Sequence, residues 1–275
     1  MSSVLAQALV SYEPNGGDMD LRFEDVSIRD LKDDELLIRL VATGICHTDL
    51  VFGSLPSPFT TYPKVLGHED PDTFLDSNGQ KICGLFFGQS SMASYTIAKQ
   101  ASVVNVTSVI RNESELKLFA PLGCGFQTGF GAIDVVASAG PDDTVVVMGI
   151  GGVGFSAIAG AKLNQCNTII AVDRVPQRLQ LAREFGATHV IDSSETQDLV
   201  AEVKALTKGR GSSITLDTTG NMKLIENGLA MTANRGQMII VGVPPMDAQL
   251  GVHLVSFMQV GNSSSRPLRA QFAEQ

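Results

Sequence analysis

The longest uncharged run in the chain, TVVVMGIGGVGFSAIAGA at residues 144–161, limits the fold more than any other stretch. It reaches the length of a membrane span, but four glycines crowd its middle. A β-branched strand precedes them and an alanine-rich helix follows, so the run reads as a soluble strand–turn–helix. Gly149, Gly151 and Gly154, with Gly152 among them, have the G-x-G-x-x-G spacing of a phosphate-binding turn. The first glycine permits the tight turn, the second lets a pyrophosphate approach the backbone, and the third lets helix and strand pack closely. The helix start then offers unpaired N–H groups to the anion. The next strand ends at Asp173, nineteen residues beyond Gly154. A carboxylate there can bond ribose hydroxyls and would repel a 2′-phosphate, which favours NAD over NADP. One alternative stays open: Arg174, next in the chain, could serve a 2′-phosphate.

The rhythm around this turn repeats. TVVVMGI (144–150), NTIIAVD (167–173), HVID (189–192), SITLDTT (213–219) and GQMIIVGV (236–243) are short apolar runs. Helical patterns such as PQRLQLAREFGA (176–187) and DLVAEVKALTKG (198–209) separate them. Buried strands alternating with helices imply parallel βαβ units covered on both faces. The predicted fold class is therefore α/β, with a doubly wound, Rossmann-type sheet over residues 126–261. Residues 1–125 read as a β-rich, irregular domain, with short strands expected in LLIRLVATGI (36–45), KICGLFFG (81–88) and ASYTIAKQASVVNV (93–106). Residues 262–275 read as a polar C-terminal tail.

The net charge of −9 and the absence of any basic run argue against nucleic acid as a partner. Four cysteines, at 46, 83, 124 and 166, are too few and too scattered for a disulfide framework. A reducing compartment fits better, and the N-terminal MSSVLAQALVSYEP has no basic region ahead of an apolar stretch. The expected location is the cytoplasm, with no membrane partner.

Cys46, His68 and Cys124 supply zinc-ligating atom types, each in a glycine-flanked loop: TGICHTD, LGHED and PLGCGFQTG. Taken singly, a buried cysteine is more often a small hydrophobe, and a histidine beside glycine is usually a polar loop residue. Read together with G-I-G-G-V-G (149–154), the A-V-D strand end and E-F-G-A-T-H-V-I (184–191), the loops resemble the zinc-dependent alcohol dehydrogenases of the medium-chain dehydrogenase family. Within it, F-F-G-Q-S-S (86–91) followed by A-S-Y looks most like the branch acting on benzyl and other aryl alcohols.

The resemblance implies a GroES-like catalytic domain ahead of the Rossmann-type domain. It implies Cys46, His68 and Cys124 as ligands of one catalytic zinc, Thr48 as the hydroxyl passing the alcohol proton outward, and Asp49 and Glu69 as carboxylates orienting the site. His47 would lie near the pyrophosphate, and Asp173 with Arg178 would hold the adenosine ribose. By residue type alone, Thr48 and Asp49 also read as an ordinary helix cap and first-turn acid. The implied reaction is hydride transfer between a primary alcohol or its aldehyde and NAD. The family also suggests a homodimer. Three departures stand out. Val51 replaces the histidine that many relatives use to finish the proton relay. Glu69 runs almost at once into TFLDSNGQKICGLFFGQSS, so the intervening strands and the four-cysteine structural-zinc lobe are missing, and the catalytic domain is expected to be truncated. Cys83 and Cys166 cannot replace that lobe and are expected in cores. The returning C-terminal segment is missing too, which leaves the last strand of the sheet in doubt. The losses keep two alternatives open, a non-catalytic NAD-binding relic and a zinc-free reductase.

Overall fold

The structure is a computed structural model that describes residues 4–15, 18–57, 60–66, 73–83, 91–251 and 269–272. The chain divides into two compact units, Met1–Pro121 and Leu122–Gln275.

The first unit opens on an antiparallel hairpin of β1 (Val4–Asn15) and β2 (Asp18–Ile28). Every second residue, Ala6, Ala8 and Val10 on one strand and Val26 and Ile28 on the other, points into the core. Two of these are alanines, a weak apolar signal, so neither strand stands out in the sequence. There follow β3 (Glu35–Arg39), α1 (His47–Ser54), β4 (Lys64–Val65), β5 (Phe74–Leu75), β6 (Lys81–Ile82), β7 (Tyr95–Lys99) and α2 (Glu113–Leu118). Antiparallel pairing gives the order β4-β1-β2-β5-β6, with β3 and β7 paired separately. The hairpin and β4 to β7 share a core that includes Val65, Phe74, Ile82 and Ile97. Of the LLIRLVATGI stretch only the first part is strand; the chain leaves β3 after Arg39 and runs irregularly to Cys46. KICGLFFG yields the two-residue β6 and then passes outside the described residues.

The second unit begins with α3 (Gly125–Gly131), which continues as a π-turn over Ala132–Val136. Strands and helices then alternate: β8 (Thr144–Met148), α4 (Gly152–Leu163), β9 (Thr168–Asp173), α5 (Pro176–Phe185), β10 (His189–Asp192), α6 (Leu199–Leu206), β11 (Ser212–Asp217), α7 (Met222–Met231), β12 (Thr232–Ile240) and β13 (Arg269–Phe272). All neighbours are parallel, in the order β10-β9-β8-β11-β12-β13. Counted from β8, that is third, second, first, fourth, fifth, sixth, the doubly wound arrangement of dinucleotide-binding sheets. The sixth position, doubtful from the sequence, is filled by Arg269–Phe272, which lie inside the stretch that reads as a polar tail. Backbone pairing with β12 requires no apolar run, so composition gives no sign of it.

Alternation along β8 shows why the sheet is buried on both faces. Val145 and Val147 pack with Ala157, Ile158 and Ala161 of α4. Val146 and Met148 pack on the opposite face with Val203 of α6 and Ile225 of α7. Among the described residues no helix is long and apolar enough to cross a membrane.

Candidate functional site

In a sheet of this order, ligands bind beyond the carboxyl ends of the strands where the winding reverses, here between β8 and β11. Gly149 leaves β8 with a positive φ of 87°, and its N–H donates to the Val172 carbonyl at 2.8 Å. A Cβ at Gly149 would stand 2.6 Å from both Thr218 Oγ1 and Thr219 Cγ2. A Cβ at Gly154 would overlap the Gly149 carbonyl oxygen, so only glycine lets α4 start this close to the strand end. At Gly151 the same test finds open space, and Gly152 opens α4 itself. The turn is thus a cradle whose floor is backbone, with the N-terminus of a twelve-residue helix behind it.

Asp173 ends β9 beside this turn and is buried, with 7% exposure. Its Oδ2 accepts from the Ile150 N–H at 2.6 Å, and its Oδ1 accepts from the N–H groups of Arg174 (2.8 Å) and Val175 (2.9 Å). The Arg178 guanidinium on α5 lies 3.7 Å from Oδ2. The carboxylate therefore fastens the glycine turn to the start of α5, and one of its roughly four acceptor positions remains.

The opposite wall comes from residues the sequence did not single out. Thr218, just past β11, donates its hydroxyl to the carbonyls of Met148 (3.1 Å) and Gly149 (2.8 Å). Asp217 accepts from Thr219 Oγ1 at 2.6 Å and from the Gly220 N–H at 2.9 Å, which holds the Asp217–Gly220 turn in shape. Burial pushes the Asp217 carboxyl above the usual range, and the Thr219 and Gly220 donors oppose that shift. D-T-T-G directly after a buried strand is the signal that could have marked this wall.

In the first unit the segment expected from the sequence to bear a ligand is the start of α1. Cys46 is the N-cap; its N–H donates to Asp49 Oδ2 at 2.9 Å, and its thiol lies 3.4 Å from Thr48 Oγ1. Thr48 and Asp49 are buried, Cys46 is half-buried, and His47 is exposed. Val51 stands on the same helix. In the second unit Cys124, also half-buried, is the N-cap of α3, and its carbonyl accepts from the Thr128 N–H at 2.8 Å. His68 and Glu69 lie outside the described residues. Among the described residues no three His, Cys, Asp or Glu side chains gather as a metal cluster. Two thiols presented at helix starts, with an imidazole as third donor, are a donor set whose chemistry fits zinc. The glycine cradle and Asp173 likewise fit a dinucleotide. Cys166 belongs to neither group: it is buried in the core of the second unit, and burial pushes its thiol up to about 11. Cys83 is half-buried, with its backbone tied to Pro63 and Val65.

Residues 152–266 match the zinc-binding dehydrogenase family. The chain is 31% identical to geraniol dehydrogenase from Castellaniella defragrans, covering 93% of this chain and 81% of the relative. That alignment spans 312 positions, more than the 275 residues of the chain, so the relative has internal residues without a counterpart here. The fold superposes on benzyl alcohol dehydrogenase from Acinetobacter calcoaceticus with a TM-score of 0.80, at 31% identity, covering 94% of this chain and 82% of that one. An alcohol dehydrogenase zinc-binding domain protein from Burkholderia ambifaria superposes with a TM-score of 0.85, at 28% identity, covering 98% and 84%.

Proposed function

Because the chain belongs to the zinc-binding dehydrogenase family, we propose that it is an NAD-dependent alcohol dehydrogenase acting on a primary aryl or allylic alcohol and its aldehyde. The substrate class rests on two relatives, a geraniol and a benzyl alcohol dehydrogenase, whose named alcohols both carry the hydroxyl carbon next to a π system. The observation that carries the reading is the glycine turn assembled at the sheet's reversal point, with Asp173 beside it.

In this reading Gly149, Gly151, Gly152 and Gly154 hold the pyrophosphate, with His47 near it, while Asp173 and Arg178 hold the adenosine ribose. Cys46, His68 and Cys124 hold a single catalytic zinc, and there is no structural zinc. When bound, zinc supplies Lewis acidity to the alcohol oxygen and the nicotinamide accepts the hydride. Thr48 receives the hydroxyl proton at Oγ1 and passes it outward, with Val51 in place of a second relay group. Asp49 and Glu69 orient the ligand-bearing loops, and Asp49 does so through the Cys46 N–H.

The test combines metal analysis with turnover. Purified protein should carry about one zinc per chain and reduce NAD with benzyl alcohol or geraniol, with NADP a poor substitute. Cys46→Ser should remove both metal and turnover. Protein that binds NAD but holds no zinc and oxidises no alcohol would favour the second reading, an NAD-binding protein without catalysis. The internal residues that the relative has and this chain lacks are the observation on that side.

A further inference from the structure

The Gly149–Ile150 peptide is the first link of the glycine turn, and both of its polar groups are bonded. Its carbonyl, on Gly149, accepts from Thr218 Oγ1 at 2.8 Å. Its N–H, on Ile150, donates to Asp173 Oδ2 at 2.6 Å. A trans peptide is planar, with C=O and N–H pointing in opposite directions, so the two partners approach from opposite sides. The sheet supplies them there. β8, which leads into the turn, lies between β9, which ends in Asp173, and β11, which Thr218 follows. One peptide is strung between the ends of three neighbouring strands.

Glycine makes this hold both possible and useful. A Cβ at position 149 would stand 2.6 Å from Thr218 Oγ1, so its absence lets the hydroxyl reach the carbonyl. Gly149, at φ 87°, also has more backbone conformations open to it than any other residue would. Rotation on either side of the peptide would flip it and turn the Gly149 carbonyl oxygen onto the Asp173 carboxylate. Asp173 opposes that flip by repulsion, and Thr218 holds the carbonyl on the far side. Thr218 is itself seated by its backbone N–H, which donates to the Met148 carbonyl at 3.0 Å. The Asp217–Gly220 turn around it is closed by the Asp217 carboxylate.

We propose that Thr218 is a positioning residue for the dinucleotide: with Asp173 it fixes the Gly149–Ile150 peptide before the cofactor arrives. This rests on the NAD reading above and deepens it. A segment that is ordered only on binding costs affinity, and one ordered beforehand avoids that cost. Asp173 thus acts on the cofactor twice, through the ribose and through the turn, and Thr218 shares the second action.

The experiment measures binding of NAD, ADP-ribose and adenosine to the full chain. Thr218→Val keeps the shape of the side chain and removes its hydroxyl. The backbone N–H at position 218 still serves the Met148 carbonyl, so the loss falls on Gly149. NAD and ADP-ribose should bind roughly threefold to tenfold more weakly, the worth of one neutral hydrogen bond. Adenosine, which carries no pyrophosphate, should bind as before, and Thr218→Ser should restore the affinity for NAD. Where Asp173→Ala has already released the other end of the peptide, adding Thr218→Val should cost little more. Unchanged NAD affinity in Thr218→Val, an equal loss for adenosine, or losses that add in the double variant would each overturn the proposal. Should Thr218→Val fail to fold, hydrogen exchange on the unaltered protein decides. The Ile150 amide should exchange slowly without NAD and gain little protection with it; fast exchange that NAD suppresses would overturn the proposal. If the unaltered protein binds neither NAD nor ADP-ribose, the dinucleotide reading itself fails, which is a different result from any of these.

Discussion

Asp173 already accepts three backbone N–H groups of its own unit. Two effects are expected from removing it: loss of the acceptor proposed to face a ribose, and release of the Ile150 N–H that ties the glycine turn to Asp173. Asp173→Ala should therefore weaken NAD binding by about 1.5–3 kcal/mol, the range for hydrogen bonds to a charged group. Asp173→Asn, which keeps one carbonyl acceptor, should lose less. Calorimetric titration checks both, and unchanged affinity in the alanine variant would remove the cofactor assignment. Gly154→Ala forces a Cβ into the Gly149 carbonyl. Overpacking of that kind costs about 1–3 kcal/mol, and NAD affinity should fall together with the unfolding midpoint. Thr48→Ala, in the other unit, should lower alcohol turnover by about a hundredfold or more with NAD affinity unchanged; equal turnover would remove Thr48 from the proton path. At this scale the sequence marks Gly149, Gly154 and Asp173 by spacing. It does not show that Asp173 faces backbone donors or that Thr218 backs Gly149, because both depend on which turns meet.

The elements differ in how openly the sequence announces them. β8 to β12 are legible because strands covered on both faces carry continuous apolar runs, VVVM in β8, IIAV in β9 and MII in β12. β1 and β2 are not, since two inward positions are alanine while outward positions include the exposed Leu5, Leu21 and Phe23, which blurs the alternation. β13 is settled by pairing alone. The start of β3 shows what ion pairs add. Glu35 is buried, with Arg29 bonded to it through two nitrogens at 2.6 and 2.9 Å, and the Lys32 N–H is a third donor. The Arg29 guanidinium holds its carboxyl down at about 2, against an ordinary 4.5. A carboxyl depressed in the folded state contributes stability above its unfolded pKa and loses it as the pH falls through the window down to the folded one. Denaturant midpoints measured between pH 5 and pH 2 should therefore fall less steeply in Glu35→Gln than in the unaltered protein. Among helices, α6 has Asp198 as N-cap, bonded to the Ala201 N–H at 2.9 Å. Asp198→Ala should cost about 1 kcal/mol without touching NAD affinity.

For the whole molecule, the two units give two separate expectations. NAD at about a hundredfold its dissociation constant should stabilise the unit that holds it by about 2.7 kcal/mol, read as an upward shift in the melting of the Leu122–Gln275 unit. Chelation of zinc should leave NAD binding largely intact, since the glycine turn, Asp173 and Thr218 all lie within that unit. The sequence by itself determined the alternation of strands and helices, the dinucleotide turn and the family, because these follow from local periodicity, glycine spacing and motif content. Only the tertiary structure decided the order of the sheet, the sixth strand, the wall behind Gly149 and the two-sided hold of Asp173 and Thr218 on one peptide. Each of these is a meeting of segments distant along the chain, fixed by pairing and burial, and no local pattern of residues encodes which segments meet.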